Sequence, residues 1–280
     1  MINVLYSGNS YVFDGVLTGI LSILKRTQTK DYFNFYVYTM DVSFLKKEYT
    51  PISDSEIEFL DGIVKKYNEK NSVTKIDVTE YYNKEFKGSP NEGCYCSPYT
   101  LLRLLADIIP EMPNDKLLYL DCDTMFNRDI EELYNLDVTG YEYLAANDHY
   151  GKVLLNPRYI NAGVLLFNMA ECKKTGILTK ARALIRKKHL PFADQSALIR
   201  STTKFKLINQ KYNDQKHLRK NTVVRHFAKR LFLLPYPKAR NIKQWRIYEM
   251  HRIYKYKQFD DILNEYIYYK LKYEKEIKNS

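Results

Sequence analysis

No run of apolar residues in this 280-residue chain approaches the roughly 18 needed to cross a bilayer, so a membrane-spanning helix is not expected. Nor does a charged-then-apolar leader precede Met1-Ile2-Asn3-Val4-Leu5-Tyr6, which reads as a first strand and suggests a cytoplasmic protein. Cysteine is scarce. Only Cys94 and Cys96 are close together, and a Cys-x-Cys without a second pair is not a zinc pattern. Free thiols in a reducing compartment are the expectation for all four cysteines, Cys122 and Cys172 included. From Lys173 to Arg240 acidic residues nearly vanish: Asp194 and Asp214 alone face many Lys and Arg, and the whole chain carries a net charge of +11. No RNA-recognition, KH or zinc-finger pattern accompanies that charge, so a nucleic-acid partner is not expected. The basic stretch suits the phosphates of a nucleotide or an anionic membrane face, and otherwise reads as solvated helix surface. No internal repeat and no low-complexity linker divides the chain.

What is present is a core. Hydrophobic residues make up 45% of the chain, enough for one large α/β domain or one domain with an appendage. Tyrosine occurs 26 times, which suits sugar-binding clefts and half-buried packing alike. Apolar segments at Ile2–Tyr6, Phe33–Thr39 and Val73–Val78 read as strands. They alternate with helical patterns at Tyr11–Leu24 and from Ser53-Asp54-Ser55-Glu56, a capping start, to about Tyr67. That alternation implies βαβ units and a mainly parallel sheet. Further on, Pro98–Ile109 reads as a helix stopped by Pro110 and Pro113. Strands are expected at Leu117–Leu120, Tyr143–Asp148, Tyr159–Asn168 and Val223–Phe227, and helices at Thr175–Lys188 and Ala193–Arg200.

The densest chemistry lies in Leu117-Leu118-Tyr119-Leu120-Asp121-Cys122-Asp123. On an extended strand, residues i and i+2 share a side, which would put Asp121 and Asp123 together about 6.6 Å apart at the backbone. Carboxylates that close repel unless a cation lies between them. Oxygen ligands suit a hard divalent ion such as Mn²⁺ or Mg²⁺, which is most useful when it holds a pyrophosphate at the carboxyl end of a strand. As a plain alternative, the two residues close a turn.

Other segments flank this one. Ser97-Pro98-Tyr99-Thr100-Leu101-Leu102-Arg103 embeds an Arg in an apolar helix, where it needs an anionic partner. Tyr159-Ile160-Asn161-Ala162-Gly163 and Phe192-Ala193-Asp194-Gln195 follow, and then Arg225-His226-Phe227. In this order the segments resemble retaining glycosyltransferase family 8, the family of bacterial lipopolysaccharide galactosyl- and glucosyltransferases and of the glycogenins. The likeness runs from Met1 to about Trp245.

The resemblance implies a GT-A architecture: a Rossmann-like, mixed α/β nucleotide-binding sheet flanked by helices over residues 1–245, with a C-terminal helical appendage over 246–280. It implies Asp121, Asp123 and His226 as ligands of Mn²⁺ or Mg²⁺, although a lone His on an apolar strand is also an ordinary core residue. Ser7, Asn9 and Tyr11 of the first βα turn would meet the nucleotide, Tyr11 by stacking on uracil and Asn9 by a polar contact. A strand-helix turn explains the same residues without a ligand. Cys122, inside the Asp-x-Asp, would line the donor site. Arg103 would pair with donor oxygens, or else with Asp107 one turn on. Asn161, Ala162 and Gly163 would let the sugar approach closely, or form a strand with a bulge at Gly163. Asp148 would contact donor or acceptor hydroxyls, or cap a turn. Asp194 and Gln195 would bind the sugar beneath its anomeric carbon, or simply open a helix. Lys243, in Lys243-Gln244-Trp245, would reach the diphosphate. The family's Lys-Pro-Trp lacks its proline here, so Lys229 or Arg230 are alternatives.

The implied activity is metal-dependent transfer of a hexose, galactose or glucose, from a UDP-sugar to a glycan or glycolipid acceptor in bacterial surface polysaccharide synthesis. A protein of the same fold that binds nucleotide or a membrane surface without chemistry is the alternative. The tail from Arg246 to Ser280 interleaves seven tyrosines with Lys and Arg. It reads either as helices packed on the catalytic domain or as a peripheral contact with the anionic inner membrane face.

Overall fold

The computed structural model describes residues 1–93, 97–232 and 238–279. Cys94 and Cys96 lie outside the described residues, whereas Cys122 and Cys172 are free, buried thiols. In chain order the elements are β1 (Ile2–Ser7), α1 (Phe13–Arg26), β2 (Phe33–Thr39), α2 (Asp54–Tyr67), β3 (Ser72–Asp77), α3 (Thr79–Glu85), β4 (Lys116–Leu120), β5 (Thr124–Phe126) and α4 (Glu131–Tyr134). There follow β6 (Tyr143–Asn147), α5 (Gly151–Leu154), β7 (Ile160–Asn168), α6 (Met169–Thr175), α7 (Ile177–Lys187), α8 (Ala193–Ser201), β8 (Phe205–Leu207) and β9 (Val224–His226). The chain ends with β10 (Arg230–Phe232), β11 (Lys238–Arg240), α9 (Ile247–Glu249) and α10 (Asp260–Asn279).

Seven strands form one mixed sheet in the order β3-β2-β1-β4-β7-β6-β8. The first four run parallel. β7 turns antiparallel to β4, and β6 antiparallel to β7. The chain winds outward from β1 through β2 to β3, then crosses back to place β4 on the other side of β1. This reversal opens a crevice at the carboxyl ends of β1 and β4, where open α/β sheets bind ligands. Side chains alternate across the sheet. Val4, Tyr6, Leu118 and Leu120 enter one core layer with α1, α2 and α10. Leu5, Leu117 and Tyr119 enter the other with residues 99–105, α7 and α8.

Local chemistry explains several boundaries. α2 starts in a complete capping box: Ser53 Oγ accepts from the Glu56 amide at 3.2 Å, and the Glu56 carboxylate accepts from the Ser53 amide at 2.8 Å. The helix expected at Thr175–Lys188 is α7, which starts at Ile177 because Gly176, at a left-handed φ of 65°, ends the separate, shorter α6 just before it. Pro98–Leu105 is a 3-10 helix and not the expected α-helix. With three residues per turn, Asp107 no longer falls above Arg103.

The tail packs. Phe259, Ile262, Leu263, Tyr266 and Tyr269 are buried in the layer shared with α1. Lys25 pairs with Glu265 and Lys270 with Asp14. Lys255, at a left-handed φ of 56°, ends the helical turn Met250–Tyr254 ahead of α10. No described helix is long and apolar enough to cross a membrane. Leu263→Ala should therefore lower unfolding free energy by about 2–5 kcal/mol, as deletion of a buried Leu does. Urea denaturation checks this, and a loss under 1 kcal/mol would mean that α10 is not part of the core.

Candidate functional site

The crevice is lined by Ser7, Gly8 and Asn9 after β1, by Tyr119 to Asp123 after β4 with Leu120 excepted, and by Tyr99, Lys243 and Trp245. It holds about 210 Å³. Ser7 Oγ ties its two walls together, reaching the Tyr119 hydroxyl at 2.8 Å and the Tyr99 carbonyl at 3.1 Å. Cys122 Sγ donates to the Ser7 carbonyl at 3.3 Å. Burial, with Asp121 and Asp123 nearby, pushes this thiol well up, so it is not a nucleophile. Gln244 Nε2 donates to the Cys122 carbonyl at 2.8 Å and so anchors the segment that delivers Lys243 and Trp245.

Asp121 and Asp123 do not sit on one continuous strand, as expected from the sequence. β4 ends at Leu120, and a turn closed by Thr124 Oγ1 on the Asp121 carbonyl (2.8 Å) carries the chain into β5. β5 pairs antiparallel with β9, which sets Thr124 opposite His226. The Phe227 amide then donates to the Asp123 carbonyl at 2.7 Å. This pairing brings His226 Nε2 to 3.1 Å from Asp123 Oδ1 and 3.7 Å from Asp121 Oδ2. Ligand atoms of Asp121, Asp123 and His226 all lie within 4.8 Å of one another. Two carboxylates and an imidazole suit Mn²⁺ or Mg²⁺, so the residues fit a divalent ion. Lys243 Nζ closes on Asp123 Oδ2. Burial works against the ionised Asp123, but the Lys243 ammonium and the His226 ring outweigh it and hold its carboxyl well below the usual range.

Arg103 is fully buried between two acids. It reaches Asp121 Oδ1 at 2.9 Å and Asp194 Oδ2 at 3.3 Å, donates to the Ala162 carbonyl, and lies 4.1 Å from the Tyr119 ring centre. Asp107, the local partner considered from sequence, pairs with Arg182 instead. Asp194 and Gln195 open α8, and Gln195 Oε1 accepts from the Ala162 amide at 3.1 Å. The turn into them forces Ala193 to a φ of 24°, a strained conformation for a residue with a Cβ. Asn161 donates to Asp148 Oδ2 at 2.9 Å, and the other Asp148 oxygen accepts from the Tyr150 and Gly151 amides. Gly163 is where no side chain fits. A Cβ there would come within 2.6 Å of Asp121 Oδ2 and closer still to the His226 ring.

The structure thus gathers Ser7, Asn9, Cys122, Lys243, Arg103, Asp121, Asp123, Asn161, Ala162, Gly163, Asp194, Gln195, Asp148 and His226 around one crevice or into the hydrogen-bond network behind it. Tyr11 is the exception. It is 67% exposed and absent from the crevice lining, because Ser10–Val12 turns as a short 3-10 segment that presents Val12 instead. Asn9 donates to the Glu48 carbonyl at 3.3 Å. Lys229 lines a separate hollow together with Asp148 and Lys216, of which Asp123 is not a wall, and the Arg230 side chain is outside the described residues. Sequence reasoning gave no site role to Trp245, Tyr119 or Asn213. The first two were visible as aromatic neighbours of assigned residues, whereas nothing local marks Asn213.

Comparison with known proteins places the chain in a family. The profile of glycosyl transferase family 8 matches residues 3–247. The chain belongs to glycosyltransferase family 8. A putative glycosyltransferase of Haemophilus influenzae is 30% identical over 226 residues, covering 75% of this chain and 62% of that protein. Glycosyltransferase GlyA of Streptococcus pneumoniae is 36% identical over 112 residues, 38% of this chain and 16% of its own. The chain therefore spans less than two thirds of the length of these relatives. The galactosyltransferase LgtC, solved with donor and acceptor sugar analogues, superposes with a TM-score of 0.68 over 94% of this chain and 96% of its own. At 16% identity that likeness shows the fold, which is GT-A.

Two predictions follow from the geometry of this family-8 site. Gly163→Ala should displace His226 or Asp121 and raise the Kd for Mn²⁺ at least about 10-fold, as loss of one ligand's placement does. Titration calorimetry checks this, and native affinity would refute it. The second concerns pH. Burial, opposed by Arg103 and reinforced by Asp121, pushes the Asp194 carboxyl up to about 6. The unfolded chain releases this proton near pH 4, so the group's contribution is full below about pH 4 and is lost as pH rises through about 6. With a chelator present, Asp194→Asn should gain on the wild type by about 3 kcal/mol in unfolding free energy between pH 4 and 7. A pH-independent difference would contradict it.

Proposed function

We propose that the protein is a metal-dependent retaining glycosyltransferase that moves a hexose, galactose or glucose, from UDP-sugar to a glycan or glycolipid acceptor of a bacterial surface polysaccharide. The observation that carries this reading is the meeting of Asp121, Asp123 and His226 at the carboxyl end of β4, beside a crevice that also receives Lys243. Those three side chains would hold a divalent ion, which would supply Lewis-acid neutralisation of the leaving diphosphate.

The chain's own residues do the rest. Ser7, Gly8 and Asn9 offer backbone and short side chains to the nucleotide, and Trp245 joins Tyr99 and Tyr119 as an aromatic of the crevice wall, with Tyr11 exposed nearby in sequence. Lys243 exchanges its contact with Asp123 for a phosphate oxygen. Arg103 holds Asp121 and Asp194 in place and keeps two buried carboxylates from repelling each other apart. Asn161, Asp148 and Asp194 meet the sugar hydroxyls. Gln195 keeps its Oε1 on the Ala162 amide and turns its NH₂ group to the sugar. An amide is a poor nucleophile, and Asp194 is engaged by Arg103, so neither group supports a covalent intermediate. Retention then follows from front-side attack, in which the acceptor hydroxyl gives its proton to the departing phosphate oxygen.

The complete ligand set argues against a binding protein that has lost its chemistry. A cytoplasmic location on the inner membrane face remains part of the reading. Ile267, Tyr268 and Leu271 are exposed on α10, although the buried face of that helix serves packing first.

A panel of UDP-sugars tests the proposal. One or more should release UDP in the presence of Mn²⁺, and Asp123→Ala should reduce that release by about 10²–10³-fold, the worth of several kcal/mol of charge stabilisation. Trp245 is the sole tryptophan, so UDP with Mn²⁺ should quench the intrinsic tryptophan fluorescence. No UDP release from any donor, with a folded and metal-loaded protein, would sink the enzyme reading.

A further inference from the structure

His226 is 3% exposed, and its two ring nitrogens have different partners. Nε2 faces Asp123 and Asp121, whereas Nδ1 lies 3.0 Å from Oδ1 of Asn213, a residue with no solvent exposure. Asn213 Nδ2 donates to Asn161 Oδ1 at 2.9 Å, and Asn161 Nδ2 donates to Asp148 Oδ2 at 2.9 Å. The orientation of each amide is settled by partners that have no choice. The Gly163 backbone amide can only donate, and it points at Asn161 Oδ1 from 3.0 Å. The Asp148 carboxylate already accepts from two backbone amides through its other oxygen, and it receives Asn161 Nδ2. Asn161 therefore presents its oxygen to Asn213, Asn213 must answer with its NH₂ group, and its own oxygen is left for His226. Asn213 is itself fixed. Its carbonyl accepts from Gln210 Nε2 at 2.7 Å and from Gln215 Nε2 at 3.3 Å.

We infer that Asp148, Asn161 and Asn213 form a one-directional hydrogen-bond relay that keeps a proton on His226 Nδ1, so that Nε2 is the ring atom presented to a divalent cation. Asn213 is a positioning residue in this scheme. A His that ligates through Nε2 needs a partner for its Nδ1–H, and here a neutral amide takes that place with a carboxylate two links behind it. The consequence for metal binding rests on the reading of Asp121, Asp123 and His226 given above. The relay also ties the cation side of the crevice to Asn161 and Asp148 on the sugar side, so both depend on one set of amide orientations.

The direct test uses the full chain labelled with ¹⁵N-histidine, at one neutral pH. Long-range ¹H–¹⁵N spectra, with the His226 signals identified by their loss in His226→Gln, should show Nδ1 protonated both without metal and with saturating Mg²⁺. Free-Mn²⁺ electron paramagnetic resonance supplies the second arm. Asn213→Ala should raise the Kd for Mn²⁺ about 10–100-fold, the usual cost of losing such an outer partner. Asn213→Asp, which keeps an acceptor for Nδ1, should hold the protonated Nδ1 signal that Asn213→Ala loses. A neutral His226 with its proton on Nε2 in the wild type would overturn the relay, and so would native Mn²⁺ affinity in Asn213→Ala. Should Asn213→Ala fail to fold, the wild-type spectrum still decides. Protonated Nδ1 in a wild type that binds no Mn²⁺ would support the relay and overturn the metal reading instead.

Discussion

Asp121, Asp123 and Asp194 bring three carboxylates into one largely buried region at the carboxyl end of β4, and their mutual repulsion has to be balanced for the fold to hold. Arg103 answers Asp121 and Asp194 from one side, and Lys243 answers Asp123 from the other. The balance is incomplete at Asp194, where burial wins over the ion pair and raises the carboxyl to about 6. Between Asp121 and Asp123 the remaining counter-group is His226, a side chain equally suited to a cation's coordination shell. The three ligand-type side chains Asp121, Asp123 and His226 therefore stand together at a point where the surrounding charges leave the acids only partly balanced.

Backbone pairing places these groups. The β4–β7 ladder continues past Leu120 and Val164 to the Asp121 amide on the Gly163 carbonyl, so the Asn161–Gly163 segment lies directly beside the first carboxylate. The short β5–β9 ribbon brings His226 across more than a hundred residues to the second. Gly163 is what allows both pairings at once, since any side chain there would fill the space in which Asp121 and His226 meet. Rigid strands thus set the positions, and a buried amide network sets the orientations.

Much of this was legible in the sequence, for a physical reason. Strands β1 to β4 and helices α1 and α2 announce themselves by apolar periodicity and caps. Asp121, Asp123, Asn161, Asp194, Gln195 and His226 lie in short motifs whose order along the chain matches the family. What was missed depends on distance or on local geometry. Arg103 was offered Asp107 on α-helical spacing, but the segment is a 3-10 helix and Arg182 holds Asp107. Asn213 acts through Asn161 and His226, and no pattern near residue 213 encodes those contacts. β5, β8, α3 and α5 are too short to show a period.

The central claim is that Asp121, Asp123 and His226 bind one divalent cation which in turn holds a nucleoside diphosphate. Anomalous diffraction near the manganese edge, from crystals of the protein with Mn²⁺ and UDP, tests it most directly. The account predicts a single strong peak bonded to both aspartates and to His226 Nε2, with the diphosphate on its open side and the uracil near Trp245. A manganese peak elsewhere, or UDP bound in this crevice without a metal at these three side chains, would contradict it.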